Sequence, residues 1–402
     1  MKALKNVWII SALIAVMILF VNITTASAAD DITVLTSGDC SDDNTTYPSN
    51  VTYTLTSDGI FRVSGNGYME SYYVYNNVPT MPWIDYRDSI KEVIIEDGVF
   101  NAAYGGFVGC NNLKKVTLAD SVINIEPSAF SACTALTDIN VENIGWIGAS
   151  AFADCSALER VNCQKASYLG EQAFAACYGL KEITLGEGLT EIGETAFYQC
   201  ISLESINIPS TTETIGFGAF GYCTSLERAV IPESVTVING NTFYGCRSLK
   251  SVEIPQNVTS IGSYVFYGCS NLSCVYLYEN SYADKFMTEN NGSIARKYIT
   301  EDNAVQISEI DTENNRLKLL IDTNKLGGSP ENAQYLEQVN VIVDDEEQGV
   351  KYYVYDDTEQ YAVFEIEYIN NSADSADIRA EAKVKESDDS FKYYVTEVYS
   401  ID

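Results

Sequence analysis

Between residues 90 and 277 the chain repeats one pattern of apolar and polar positions. Its marker is a phenylalanine three residues before a cysteine, at Phe107/Cys110, Phe130/Cys133, Phe152/Cys155, Phe174/Cys177, Phe197/Cys200, Phe220/Cys223, Phe243/Cys246 and Phe266/Cys269. Successive phenylalanines stand 23, 22, 22, 23, 23, 23 and 23 residues apart, so one structural unit is used eight times. In the unit at residues 190–212, Ile206 and Ile208 share one side of a short strand and Asn207 points the other way. Ala196, Phe197, Cys200 and Leu203 follow the spacing of one helical or 3₁₀ turn. Pro209 forbids further ladder pairing at the strand end, and Gly193 lets the backbone turn where a β-carbon would clash. Such a coil of strand, corner, turn and corner cannot bury its apolar face alone and folds by stacking on its neighbours. Nine strand segments are expected, from residues 90–95 to 272–277. At about 4.8 Å between strands they make a parallel sheet roughly 38 Å across, sized for a protein or polymer with no deep pocket implied.

The flanks read differently. Lys2 and Lys5 precede an apolar run at residues 7–21, followed by Ala26, Ser27, Ala28 and Ala29, the form of a cleaved export signal over residues 1–29. That run is nearer 15 residues than the roughly 20 a membrane span needs, and no other run compares, so no transmembrane segment is expected in the mature chain. From about residue 300 the repeat ends, cysteine is absent, and 25 acids stand against 8 bases, a difference of −17. The pattern there has a period of two: Ala362, Phe364, Ile366 and Tyr368 share one face, and Ile378, Ala380, Ala382 and Val384 alternate with charged residues. About seven strands over residues 300–402 fit a small immunoglobulin-like β-sandwich. The acidic turn at 344–349 reads as a hairpin tip, since no spacing of a calcium loop is present.

Composition narrows the chemistry. With 24 basic residues against 56 acidic ones, a net charge of −32, nucleic acid and anionic lipid surfaces are the wrong partners. Removal of Lys2 and Lys5 with the signal takes −32 to −34. A hydrophobic fraction of 46% still supplies a core, which excludes disorder. The chain has no histidine, which removes the usual neutral-pH general base, His-activated nucleophiles and most catalytic zinc sites. Carboxylate pairs remain, but none stands out from a solvated acidic surface. An enzyme is not expected, and no cofactor or metal is implied. Eleven cysteines in an exported chain suggest disulfides. Eight of them, however, occupy one repeated position, where stacked side chains run parallel about 5 Å apart, wrongly aimed for a bridge. They read as reduced, buried thiols. Cys163 falls at an inward strand position, while Cys40 and Cys274 lie at opposite ends of the array and cannot pair within one chain.

The pattern I-G-x-x-A-F-x-x-C-x-x-L-x-x-[VI]-x-I-P, almost complete at residues 192–209, resembles the BspA-type leucine-rich repeats of bacterial surface proteins. The resemblance covers residues 89–277. Residues 55–67 with Met81, Pro82 and Trp83 are similar to the family's capping hairpin, and residues 280–286 to its closing helix. Departures exist: the coil holding Val161, Asn162 and Cys163 lacks Ile-Pro, and the first coils carry Tyr104, Gly105 and Gly106 where I-G-x-x-A-F should stand, so the array is less regular near its N-terminal end. The chain thus divides into a signal (1–29), an N-terminal β cap (30–88), a leucine-rich-repeat solenoid of 22–23-residue coils (89–278), a cap helix (279–299) and the sandwich (300–402). The resemblance implies secretion or surface display and adhesion, and it carries over no catalytic residue.

A partner is expected on the strand residues that face away from the core. The central outward row reads Ile94, Thr117, Asn140, Asn162, Thr184, Asn207, Val230, Glu253 and Tyr276, and the neighbouring row holds Lys115, Asp138, Arg160, Glu182 and Arg228. This strip reads either as a recognition surface or as exposed strand that tolerates polar residues. The expected partner is an extracellular protein of host or microbial origin, with a glycan as the alternative. The tyrosine-rich stretches 72–75 and 352–355 offer sugar-stacking or interface anchors, although their alternation suits half-buried strands.

Overall fold

The computed structural model describes residues 32–42, 49–75, 78–290 and 293–299, and beyond them the backbone of the strands between residues 305 and 401. The export signal at 1–29, the acidic tip at 344–345 and, apart from the buried Ala380, the side-chain faces assigned within 350–398 lie outside the described residues.

Stacked coils form the expected solenoid. The phenylalanines from Phe107 to Phe243 are fully buried, and each ring stacks on the next coil's ring with centroids 5.2–5.7 Å apart. The outer strands include Glu92–Ile95, Lys115–Leu118, Arg160–Cys163 and Glu182–Leu185, paired in parallel at equivalent positions, such as Val93 with Val116 and Val161 with Ile183. Where Ile-Pro closes the coil the ladder shortens. The strands Arg228–Val230 and Ser251–Glu253 keep three residues, and residues 203–208, expected as a strand, form none. A missing donor contributes. Ala119 N–H bonds the Ile95 carbonyl at 3.0 Å, and the equivalent positions downstream are Pro209, Pro232 and Pro255. The coil holding Val161, Asn162 and Cys163, one of those without Ile-Pro, has the full four-residue strand Arg160–Cys163.

A second parallel sheet, absent from the sequence reading, runs along another side of the coils. It is made of two-residue strands: Asn101–Ala102, Asn124–Ile125, Trp146–Ile147, Tyr168–Leu169, Glu191–Ile192 and Thr214–Ile215 in one sheet, with Val237–Ile238 and Ser260–Ile261 paired further on. The glycines that follow Ile147, Leu169, Ile192, Ile215 and Ile261 permit coils to approach rather than the chain to turn. A β-carbon on Gly193 would lie 2.5 Å from the Gly170 carbonyl carbon of the coil before.

Between the two sheets lies the turn that carries the Phe-x-x-Cys marker, and its amides are satisfied alternately. Ser128, Phe130 and Ala132 donate to Ala149, Ala151 and Ala153 of the next coil at 2.7–2.9 Å, while Ala129, Ser131 and Cys133 donate within their own coil at 3.1–3.2 Å. The alternation requires two left-handed residues per coil, two before and two after the phenylalanine, such as Ser128 (φ 56°) and Ala132 (φ 59°). Outside glycine each such residue costs on the order of 1–2 kcal/mol, which the inter-coil bonds offset.

The ends are covered as follows. Thr52–Thr56 and Ile60–Ser64 form an antiparallel hairpin whose second strand pairs in parallel with Glu92–Ile95. Trp83 is fully buried against Tyr53, Phe61 and Phe107, and its indole N–H donates to the Gly106 carbonyl at 2.8 Å. At the other end the helix Tyr282–Asn290 buries Ala283 and Met287. The segment 279–299 is more than a helix, because Ala295–Ile299 adds a further parallel strand to Cys274–Tyr278. In the C-terminal region Val305–Asp311, Arg316–Asp322, Tyr361–Glu367 and Lys351–Asp357 form one antiparallel sheet. Leu336–Val343, Ala376–Lys385 and Phe391–Val395 form another, joined to Ala295–Ile299 through the last of these.

Candidate functional site

The strand strip is partly a structural device. Arg160 and Glu182 are opposite each other in register and ion-paired at 3.1 Å, and Lys115 pairs with Glu92 at 3.8 Å. Asn140 grips the coil before it, its amide donating to the Leu118 carbonyl and its Oδ1 accepting from the Leu118 N–H, both at 2.8 Å, where the strand Asp138–Ile139 is too short to do so. Thr117 and Glu253 are half-buried, as are Ile94 and Arg228. The exposed members are Lys115, Asp138, Arg160, Asn162, Glu182, Thr184, Asn207 and Val230. Tyr276 corrects the expectation of an outward ligand contact. It is 3% exposed, covered with Ile299 in a small cluster of its own, because the added strand Ala295–Ile299 extends the sheet past the last coil.

None of the eleven cysteines is in a disulfide. Burial pushes the Cys110 and Cys155 thiols up from 9.0 to about 12 and raises the Cys177 thiol too, so they are protonated and inert at neutral pH. Tyr72 is buried and Tyr73 exposed, which divides the first tyrosine stretch between core and surface. No group of three or more Cys, Asp or Glu able to hold a metal occurs among the described residues. No helix among them is long and apolar enough to cross a membrane.

The structure assembles a second surface that the sequence reading missed, on the turn side of the last four coils. Tyr198 meets Tyr222 edge-on at 5.5 Å, Tyr222 meets Tyr244 edge-on at 5.2 Å, Tyr244 stacks on Tyr267 at 5.3 Å, and Tyr267 meets Tyr264 edge-on at 5.8 Å. Phe217, Tyr264 and Tyr267 are 47%, 67% and 60% exposed. One open groove of about 190 Å³ runs beside Tyr198, Tyr222 and Tyr244, and a second of about 420 Å³ lies between Tyr264, Tyr267 and the closing helix at Phe286.

A sequence profile of the BspA type leucine-rich repeat region, in six copies, matches residues 85–202, 147–273 and 190–309, together more than half of the 402 residues. The chain belongs to the BspA-type leucine-rich repeat family. This BspA-type chain is also similar to solved leucine-rich repeat structures. One from Eubacterium ventriosum is 22% identical, with 61% of this chain and 73% of that one covered and a TM-score of 0.37. A leucine rich cell surface protein from Faecalibacterium prausnitzii is 20% identical over 62% of this chain and 98% of its own, with a TM-score of 0.29. The leucine-rich repeat protein of T. pallidum is 26% identical over 55% of this chain and 86% of its own, with a TM-score of 0.33. No curated protein matches the BspA-type chain in sequence. The profile is that of a repeat, and no enzyme family is indicated.

Proposed function

We propose that this BspA-type chain is an exported binding protein, secreted or held at the cell surface, that recognises an extracellular protein through its solenoid. The observation that carries this reading is the outer strand face of the middle coils. There Asn162, Thr184, Asn207 and Val230 stand exposed in one line, short enough to admit a partner's side chains and flanked by the paired Arg160 and Glu182. Those charges mix both signs on a chain of net −32, so the strip can select a partner by local complementarity despite the overall repulsion of acidic surfaces. An immunoglobulin-like sandwich at residues 300–402 serves in this reading as a spacer or second module, supported by its antiparallel sheets.

The test is a pull-down of residues 30–402 against extracellular proteins, repeated with Arg160→Glu combined with Arg228→Glu. The expected result is a protein captured by the native chain and lost by the charge-reversed one, with both equally folded by circular dichroism. Capture that survives the reversal moves the site off the strand face.

A further inference from the structure

The eight coils share one backbone, so they serve as controls for one another. At the position after the repeat phenylalanine, coils two to four carry Ser131, Ala153 and Ala175, and at the next position Ala132, Asp154 and Ala176. The fold therefore asks for nothing larger there. In the last four coils the same two columns carry Tyr198, Tyr222, Tyr244 and Tyr267. Glycines make room for them. A β-carbon on Gly221 would come within 3.0 Å of the Tyr198 ring, and one on Gly245 within 2.8 Å of the Tyr222 ring.

Tyr222 also sits in the left-handed region at φ 60°, in the column where the next two coils use Gly245 and Gly268. The other coils fill this column with glycine or with the smaller Ala132, Asp154, Ala176 and Gln199, so the backbone there does not ask for an aromatic ring. The surface it joins is uncharged. Neither groove is lined by an acid or a base, on a chain with 56 acids, and each has hydroxyl or amide groups beside the rings, at Thr195 and Asn241 in one and Ser263 and Asn290 in the other.

We propose that this tyrosine ladder binds an uncharged polysaccharide laid along the solenoid axis. The first argument is charge: a neutral lining on a strongly acidic protein suits a ligand that carries none. The second is chemistry. A pyranose ring presents C–H faces to the negative face of an aromatic ring and a rim of hydroxyls to groups that both donate and accept.

The third is register. Neighbouring ring centroids lie 5.5, 5.2 and 5.3 Å apart from Tyr198 to Tyr267. A six-membered ring of single bonds of about 1.5 Å, joined through opposite corners, advances a chain by roughly 5 Å per sugar. An extended peptide returns to the same face only every ~6.6 Å, and a polyproline helix every ~9 Å, so neither keeps step with consecutive coils. The polysaccharide site is separate from the strand face and does not depend on the protein-binding reading.

The experiment is native affinity electrophoresis of residues 30–402 in gels holding hydroxyethylcellulose, glucomannan, amylopectin or, as an anionic contrast, polygalacturonate, with dissociation constants measured by calorimetry. The chain should be retarded by at least one neutral polymer and not by polygalacturonate. Tyr244→Ala with Tyr267→Ala should weaken that binding about tenfold or more, as loss of two aromatic platforms implies. A strand-face control, Asn162→Ala with Thr184→Ala, should bind as the native chain does.

Because Ala153 and Ala175 already occupy the Tyr244 position in other coils, Tyr244→Ala alone serves as a folded second variant. No retardation by any neutral polymer overturns the proposal. So does retardation undiminished in the tyrosine variants, or capture of a decaproline peptide in place of the polymer.

Discussion

The thiol of Cys177 donates to the carbonyl oxygen of Phe152, 3.1 Å away in the preceding coil. The same bond runs from Cys133 to Phe107, from Cys200 to Phe174 and from Cys246 to Phe220, each at 3.1 Å. From Cys133 to Cys269 each repeat cysteine is thus a crosslink between coils made without a covalent bond, which explains a sulfur in place of an alanine. Cys177→Ala should destabilise the fold by about 1–3 kcal/mol through the lost bond and the small void, read from urea unfolding. A change within error would mean that the thiol only fills space.

The same thiols set an alkaline limit. Burial raises Cys110 and Cys155 from 9.0 to about 12, so between those values the unfolded chain has released protons that the folded chain retains. Their contribution is fully present below pH 9.0 and is lost as pH rises toward about 12. Urea midpoints measured from pH 7 upward should therefore hold until roughly pH 9 and then fall steeply. In a chain with both cysteines replaced by alanine the fall should be shallower.

Phe197 stacks between Phe174 and Phe220 with centroid distances of 5.7 and 5.6 Å and has no exposed surface. Phe197→Ala should cost about 3–5 kcal/mol. A loss below about 1 kcal/mol would place the ring outside the core, in conflict with its burial.

Two glycines of neighbouring coils separate close approach from ordinary space. A β-carbon on Gly193 would meet backbone at 2.5 Å, whereas one on Gly188 finds nothing nearer than 4.0 Å. Gly193→Ala should lower the melting temperature markedly and Gly188→Ala hardly at all. Equal effects would show that the coils can part to admit a methyl group.

Much of the solenoid was legible because its signal is redundant: eight phenylalanines and eight cysteines at one spacing fix both the unit and its inward face. The cap entered the reading only through the resemblance of residues 55–67 with Met81, Pro82 and Trp83 to the family's capping hairpin, and the structure adds that the Trp83 indole donates to the Gly106 carbonyl. The two-residue strands, such as Tyr168–Leu169, escaped because two residues hold no period to detect. The strand expected at 203–208 failed because Pro209 was read as the end of a strand, when the donor it lacks helps to hold one in place. The tyrosine ladder escaped for a geometric reason. Tyr198 and Tyr244 follow their phenylalanine by one residue and Tyr222 follows by two, so no linear pattern joins them, and only stacking brings the rings together.

Because the amides of the turn find their partners 21 or 22 residues away or within their own coil, and its thiols theirs 25 or 26 residues away, the repeat is also a unit of inheritance. A duplication or loss of one whole coil leaves each neighbour with an equivalent neighbour. Reach can therefore change by recombination alone, while the aromatic end keeps its four adjacent coils.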